Sequence, residues 1–281
     1  MSSGGLYWPA QALQQELAAH LPGITVEVLD TVDSTNSELM RRARAGRREP
    51  VLLVAERQTA GRGRLGRTWH SDGPVADAAR SDGVAGAASG ALTFSLGLFL
   101  APQDWSGLSL AVGLAVARSL HPALQLKWPN DIWLQGRKLA GILIETASFA
   151  ERRYVIIGIG INIAPREGTG LSTAPAWLQE LLPGLDAPAV LQRLAPALVQ
   201  AVLLFEARGF APFHAPFQQR DALAGRAVVL SDGTVGSAAG VDAAGALLVH
   251  TAAGMKHITS AEVSVRPTGS LDDPATVGPR L

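Results

Sequence analysis

The chain has 281 residues, of which 47% are hydrophobic, and its 24 Lys and Arg balance 24 Asp and Glu. This length and composition are typical of a globular protein with a substantial core. A zero formal net charge argues against a general nucleic-acid binder, which usually carries a basic excess. The absence of cysteine excludes a disulfide scaffold, a thiolate zinc site and a cysteine nucleophile.

The apolar segments are too short to predict a membrane span. Residues 1–20 have neither a basic start nor an uninterrupted apolar stretch, so they do not resemble a secretory signal. The two most apolar runs, 92–101 and 155–164, are each about half the roughly 20 residues that a bilayer requires. We therefore expect a cytoplasmic protein with no membrane partner.

The first third of the chain predicts alternating helices and strands. An amphipathic pattern predicts a short helix at 9–21, and alternation of apolar and polar residues predicts a strand at 24–32. A polar "DSTN" start predicts a capped helix over 34–46 that stops at Gly46. An apolar run predicts a central strand at 50–57. An Arg/Gly-rich segment then leads into residues 71–91, an Ala/Gly/Ser/Asp stretch without apolar periodicity that predicts a mobile insertion.

The middle of the chain predicts mostly strands, followed by helices. A buried strand (92–100) precedes a helix that ends before Pro122, and "LQLKWPNDIWLQGRKLAGILIET" predicts a strand, a bend at Pro129, a second strand, a tight hairpin and a third strand. A further buried strand and two helices are expected at 152–164, 174–182 and 188–207.

Composition changes near residue 222. Short strands separated by "DG", "DAAG" and "AAG" turns predict a small all-β module over 222–268, and residues 269–281 form a tail. Because hairpins occur without regular crossover helices, the fold class is predicted to be α+β.

The segment "RQTAGRGRLGRTWH" has the chemistry of an anion-binding loop. Arg62, Arg64 and Arg67 alternate with glycines, which let the backbone approach a ligand closely, while arginine supplies forked donors for phosphate oxygens. The spacing is not that of a phosphate-binding P-loop. A solvated basic loop or an RNA-contacting segment is the alternative.

A second polar cluster is "KWPND". Lys127 ends an otherwise apolar strand, and Asn130 and Asp131 follow the turn that Pro129 forces, so a charged site is expected there. An ordinary turn with a lysine that extends to solvent would give the same pattern.

Three weaker motifs add neutral and basic groups. In "GRKLAGILIE", Gly141 would let a flat ligand lie against bare backbone, although a strand glycine at a bulge is equally typical. "GIGIN" lacks a third glycine, so it is not a dinucleotide motif, but Asn162 could read an adenine edge because its amide both donates and accepts. Ser34, Thr35 and Asn36 at a helix start exceed what a plain N-cap needs.

Taken in order, "DSTN", "GRGRLGRTW", "KWPND", "KLAGILIE", "GIGIN" and the C-terminal "EVSVR" resemble the biotin protein ligases over most of the chain. The resemblance implies a mixed-sheet catalytic domain of the biotin/lipoate ligase type (1–221) and a small SH3-like barrel (222–268). It also implies a two-step ATP- and Mg²⁺-dependent reaction: biotin becomes biotinyl-5′-AMP, and a lysine of a biotin carboxyl carrier domain then attacks it.

The resemblance assigns roles residue by residue. Arg64, Lys127 and Asp131 are the implied catalytic residues. Biotin and its ureido ring are assigned to Ser34, Thr35, Asn36, Gln58, Gly141 and Ile142. The phosphates and the closing loop are assigned to Gly61, Arg62, Gly63, Arg64, Arg67 and Lys138, and the adenine to Asn162 and Trp69. Lys127 is assigned to the biotin carboxylate, and Asn130 and Asp131 either to magnesium or to the incoming lysine; no protein metal cluster is expected.

The chain departs from the family pattern in two places. Residues 71–91 interrupt the segment that usually supplies an aromatic wall of the biotin site. The sequence does not show which residue takes the place of that aromatic side chain. Only about twenty-three residues precede the first strand, too few for a DNA-binding domain of roughly 60 residues, so no operator or other nucleic acid is expected as a partner. A lipoate or octanoate transferase is the rival function. The sequence leaves oligomeric state open, a homodimer included.

Overall fold

A seven-stranded mixed sheet organises the larger part of the molecule. The computed structural model describes residues 6–69, 90–165, 174–259 and 265–267. The strand order is β1-β2-β3-β7-β6-β5-β4, in which only β1 and β2 run parallel. The strands are β1 Thr25–Val32, β2 Val51–Gln58, β3 Ala91–Leu100, β4 Gln125–Lys127, β5 Asp131–Leu134, β6 Arg137–Phe149 and β7 Arg152–Asn162.

Helices cover both faces of this sheet. They are α1 Ala10–Ala18, α2 Thr35–Arg44, α3 Leu108–Leu120, α4 Ala187–Arg208 and α5 Ala211–Gln218. On β7, alternate residues such as Ile157 and Ile159 join the main core with α1, α3 and α4, whereas Tyr154 and Ile156 pack with α2 in a second cluster. Because side chains alternate between the two faces of a strand, one face of the sheet carries the large apolar core. The other face carries the small cluster and leaves space beside α2.

The C-terminal part is a five-stranded antiparallel sheet. Its order is β11-β10-β9-β8-β12, built from β8 Ala227–Leu230, β9 Val235–Val241, β10 Leu247–Thr251, β11 Gly254–Ile258 and β12 Val265–Pro267. The α+β class and the family fold are confirmed, while closure of this sheet into a barrel remains a prediction. The two parts touch where the Trp128 indole N–H donates to Gly245 O at 3.1 Å.

Three element predictions need revision. Residues 174–182 are not a helix, because Ala174 and Ala176 exchange backbone hydrogen bonds with Lys138 (3.0 and 2.8 Å), and only the single 3-10 turn Leu178–Glu180 follows. Helix α5 was not predicted, since two prolines interrupt its sequence. The proposed insertion 71–91 lies mostly outside the described residues, but its last residue, Ala91, begins β3.

Helix α4 alone among the helices in the described ranges is long and apolar enough to cross a membrane by length and composition. Over half of its most apolar window is buried inside the protein. Leu194, Leu198 and Phe205 belong to the main core, so its apolar character has a sufficient explanation in packing.

Candidate active site

A row of aligned residues crosses the sheet on the α2 face. Register pairs Thr93 with Gly160, Gly160 with Gly141, Gly141 with Asp131, and Asp131 with Lys127. The two central residues have no side chains, so the row forms a bare floor between a small polar end and a charged end. The cleft above it is lined by every predicted site residue except Gly61, namely Ser34, Thr35, Asn36, Gln58, Arg62, Gly63, Arg64, Arg67, Trp69, Lys127, Asn130, Asp131, Lys138, Gly141, Ile142 and Asn162.

The start of α2 supplies the neutral polar end. Ser34 is the N-cap, and its side chain accepts from Ser37 N. The Gln58 side-chain carbonyl accepts from Thr35 N at 2.8 Å and lies 3.3 Å from the Thr35 hydroxyl. All three predicted residues of this end, Ser34, Thr35 and Gln58, are buried, so they are preorganised hydrogen-bonding groups.

Asn36 does not fit the predicted role of a direct ligand contact. Its amide nitrogen donates to Leu143 O at 3.2 Å and to Glu145 Oε2 at 2.9 Å, and its oxygen lies 2.6 Å from the Ser95 hydroxyl. Because the protein uses both donors and the acceptor, Asn36 shapes and fixes the cleft wall. It fits there because Gly158 has no Cβ, which would overlap the Asn36 amide.

The Arg/Gly loop, defined here as residues 61–69, is a small hairpin. Gly63 N donates to Arg67 O at 2.7 Å, and Trp69 N donates to Gly61 O at 2.9 Å. Gly61 lies outside the cleft lining, contrary to its predicted binding role. It is needed where it is, because a Cβ there would overlap the Trp69 carbonyl at the neck of the hairpin.

Two arginines extend from the Arg/Gly loop to opposite sides of the cleft. Arg62 forms an ion pair with Glu145 on β6, with a nitrogen–oxygen distance of 3.0 Å. Arg64 donates to Asn130 Oδ1 at 3.2 Å, and burial lowers its pKa below the ordinary value, while the negative charge of Asp131 opposes that shift. An arginine pKa lies so high that the guanidinium keeps its charge at neutral pH. Arg67 is exposed.

Asn130 positions Arg64. Its side-chain nitrogen donates to Ile142 O at 2.8 Å, and its backbone carbonyl accepts from Ile142 N at 3.0 Å. Because Oδ1, the amide atom that could coordinate magnesium, accepts from Arg64, Asn130 here positions that arginine, which does not fit the predicted alternative of a magnesium ligand.

Two lysines share one carboxylate at the charged end. Lys138 Nζ lies 2.7 Å from Asp131 Oδ1, and Lys127 Nζ lies 3.9 Å from Asp131 Oδ2. Lys127 also lies over the Trp133 ring at 5.2 Å. Two positive charges against one negative charge leave this end cationic, and Arg64 adds to it, so the arrangement suits an anionic ligand.

Trp69 and Asn162 close the remaining side. The Trp69 ring lies directly on Gly160, where a Cβ would overlap it. The Asn162 amide nitrogen donates to Ala176 O at 2.9 Å and Lys138 O at 3.3 Å. The sequence suggested that the Asn162 amide donates to an adenine edge, but both of its N–H groups are engaged by the protein. Asn162 instead anchors β6, the strand that carries Lys138.

Sequence reasoning missed Thr93, Ser95, Glu145, Gly158 and Gly160. A signal existed for Thr93 and Ser95, since they are polar residues at alternate positions of an otherwise apolar strand and so share one face. Gly158 and Gly160 likewise alternate along β7. Glu145 is the single charge within an apolar stretch of β6, and its partners, distant in sequence, gave no signal.

The comparisons with known proteins agree with this geometry. The family model "Biotin/lipoate A/B protein ligase family" matches residues 28–78 and 82–162, and "Biotin protein ligase C terminal domain" matches 225–266. The chain is 34% identical to the bifunctional ligase/repressor BirA of Escherichia coli over 92% of this chain and 79% of that protein.

The chain covers nearly the whole length of two further relatives. The biotin–[acetyl-CoA-carboxylase] ligase of Paracoccus denitrificans is 34% identical over 84% of this chain and 98% of its own. A biotin protein ligase from Aquifex aeolicus, solved with biotin and ATP, is 30% identical with a TM-score of 0.68, over 86% of this chain and 99% of that one. The chain is therefore a ligase, and it belongs to the biotin protein ligase family.

Proposed function

We propose that this ligase activates biotin with Mg-ATP and transfers it to a lysine of a biotin carboxyl carrier domain. In the first step a biotin carboxylate oxygen attacks the α-phosphorus of ATP and pyrophosphate leaves. In the second step the lysine ε-amine attacks the acyl carbon of biotinyl-5′-AMP, loses a proton, and AMP leaves. The observation that carries the proposal is the convergence of Arg64, Lys127 and Lys138 at one end of a glycine-floored cleft.

The chemistry explains why cations matter more than a protein nucleophile. Biotin and ATP are both anions, so bringing a carboxylate to a phosphate requires neutralised charge and fixed orientation. Lys127 is assigned to the biotin carboxylate and later to the acyl phosphate, while Arg64 and Lys138 are assigned to the phosphates. Each lysine nitrogen is held within 4 Å of Asp131, which keeps the pair in place.

The biotin ring is assigned to the neutral end of the cleft. Ser34, Thr35 and Gln58 offer buried donors and acceptors beside the bare backbone of Gly141, on which a flat bicyclic ring would lie. Trp69 is assigned to the wall between the ring and the adenine side.

Magnesium is proposed to arrive as part of the ATP substrate. The described residues contain no group of three or more His, Cys, Asp and Glu that could hold a metal ion, so a resident all-protein site has no support there. Mg²⁺ that travels with a nucleotide needs only one or two carboxylates besides the phosphates, and Asp131 offers one. The ion would spread the charge of the departing pyrophosphate.

The partner is proposed from chemistry and from relatives. Relatives named biotin–[acetyl-CoA-carboxylase] ligases support a carboxylase carrier domain as the acceptor. Such an acceptor favours a cytoplasmic location. We keep the predictions that no nucleic acid and no membrane is a partner. The oligomeric state stays undetermined, and a homodimer is one of the states it allows.

A second candidate is lipoate or octanoate transfer, because the matching family model spans biotin and lipoate ligases. The test is incubation with labelled biotin, Mg-ATP and an apo carrier domain, alongside labelled lipoate and octanoate with their own carrier. We expect biotin on one carrier lysine and biotin-dependent pyrophosphate release. Transfer of lipoate or octanoate without biotin transfer would overturn the assignment.

A further inference from the structure

Glu145 links the Arg/Gly loop to the body of the protein. The two Arg62 guanidinium nitrogens meet its two carboxylate oxygens, Nη2 to Oε1 at 3.0 Å and Nη1 to Oε2 at 3.2 Å. The same Oε2 accepts from the Asn36 amide at 2.9 Å. A forked arginine–carboxylate pair fixes orientation as well as charge, so Glu145 determines where Arg62 lies.

We propose that Glu145 is a positioning residue that holds the Arg/Gly loop over the cleft through Arg62, and that this hold retains the adenylate of the reaction proposed above. The inference reassigns Arg62, which the sequence placed on the phosphates. Its charge is engaged by Glu145, and its position on the α2 side places it opposite the arm formed by Arg64.

The loop is held at two points, one on each side of the cleft. Arg62 reaches Glu145 on β6 and lies 3.4 Å from the Ser37 hydroxyl on α2. Arg64 reaches Asn130 in the turn before β5. Loss of Glu145 frees only the first side, so the hairpin should open more often, while Lys127 and Lys138, which lie outside the loop, keep their positions.

An alternative in which Arg62 leaves Glu145 to bind phosphate makes the opposite prediction. If the carboxylate competed with ATP for Arg62, its removal would increase ATP affinity. If it positions the loop, its removal weakens retention of ATP and adenylate. The half-exposed Arg62 makes the expected effect modest, about fivefold, as for partly exposed ion pairs.

The test compares Glu145→Gln, Arg62→Gln, the double variant and wild type. Amide hydrogen exchange of Gly63, Arg67 and Trp69, whose N–H groups donate within the loop, reports opening in the protein without ligands. Glu151→Gln is the matched control, because that exposed carboxylate lies at the turn of the same β6–β7 hairpin. The adenylate off-rate and the KM for ATP are measured alongside.

Both single variants should exchange these amides and release adenylate about fivefold faster, and the double variant should match either single one because the two residues act as a pair. Additive effects, unchanged exchange, or a lower KM for ATP in Glu145→Gln would overturn the proposal. If Glu145→Gln does not fold, Arg62→Gln tests the pair from the exposed side. Failure of wild type to form adenylate would refute the proposed function and leave the exchange result standing.

Discussion

Gly141 of β6 and Gly160 of β7 are direct partners across an antiparallel strand pair, and the indole of Trp69 lies on Gly160 with its edge beside Gly141. The two positions differ in how closely the ring approaches. A Cβ on Gly160 would overlap the ring, whereas one on Gly141 would lie 3.5 Å from Trp69 Cζ3 and 3.3 Å from Lys138 Nζ. The bare floor thus has one position that only glycine fits and one with some tolerance.

Gly160→Ala should therefore displace Trp69, and Gly141→Ala should not. We expect a loss of biotin and ATP binding of about 5- to 150-fold in the first variant, since about 1.4 kcal/mol corresponds to tenfold and overpacking typically costs about 1–3 kcal/mol. The second should lose only a few-fold in ATP binding, but it places a methyl group on the backbone assigned to the biotin ring, so its biotin binding should fall as well. Calorimetric titration of both ligands measures this, and equal losses of ATP binding in the two variants would contradict the contact of Trp69 with Gly160.

Lys127→Ala should greatly slow the first step. Its ammonium group is largely buried beside Asp131, so its removal leaves that carboxylate with Lys138 alone and removes the charge assigned to the biotin carboxylate. Loss of one preorganised donor of this kind typically costs about 100- to 1,000-fold in rate. Biotin-dependent pyrophosphate release measures the effect.

The control for this variant is Lys256→Ala. Lys256 is an exposed lysine of β11 whose side chain lies 3.3 Å from the Thr234 hydroxyl, within the C-terminal sheet. Its loss should leave pyrophosphate release near the wild-type rate. Near-normal release by Lys127→Ala would remove that residue from the mechanism.

Arg64→Ala should release the adenylate. Its guanidinium is the arm of the Arg/Gly loop on the Asn130 side and adds positive charge at the anionic end of the ligand. A charge-assisted hydrogen bond contributes about 1.5–3 kcal/mol, so the off-rate should rise by about 10- to 150-fold. Labelling of carrier should become slower and less selective as free adenylate reaches other amines, and an unchanged off-rate of bound adenylate is the outcome that rules this out.

The sequence predicted which residues lie near the site better than it predicted their hydrogen-bond partners. Five motifs that are far apart in the chain reach one cleft because strand register aligns them. Most of the motif residues lie at a strand end, a turn or a helix start, whereas Gly141 and Ile142 lie inside β6. The alternation of Thr93 and Ser95 was readable in the same way. Local pattern therefore located most of the residues that line the cleft, while their binding roles stay predictions.

The amide side chains show what pattern cannot give. Asn36, Asn130 and Asn162 look like ligand contacts in sequence, yet each bonds a backbone carbonyl of another strand or segment, 107, 12 and 14 residues away in the chain. Such partners depend on tertiary register, which composition does not contain. The same reason explains residues 174–182, where pairing with Lys138 replaced the helix that the apolar periodicity predicted.

Stability should fall in strong base because of Tyr154. Burial raises the pKa of its hydroxyl from 10.0 to about 12. Below pH 10 the phenol is neutral in both the folded and unfolded chain; between pH 10 and 12 only the unfolded chain ionises, so folding loses free energy as pH rises. Two pKa units correspond to about 3 kcal/mol at most. Tyr154→Phe lacks this ionisation, so its stability deficit relative to wild type should shrink from pH 9 to 12 in denaturant titrations; a constant deficit would contradict the assignment.

Trp128→Phe should loosen the tie between the catalytic sheet and the C-terminal sheet. The Trp128 indole N–H donates to Gly245 O, and Trp128 is 1% exposed, so the phenylalanine variant leaves a buried carbonyl without this donor. Such an unsatisfied group costs about 1–3 kcal/mol. Because Trp128 follows Lys127 directly, the same variant should also slow pyrophosphate release.

Trp133→Phe is the matched control for the loss of stability in Trp128→Phe. Trp133 is 4% exposed, and within the described part of the chain its indole nitrogen has no hydrogen-bond partner, so the same change of ring removes volume but no hydrogen bond. The loss of packing is then common to both variants. In urea titrations of the whole chain, Trp128→Phe should lose about 1–3 kcal/mol more unfolding free energy than Trp133→Phe, and equal losses would show that the Gly245 contact contributes nothing beyond packing.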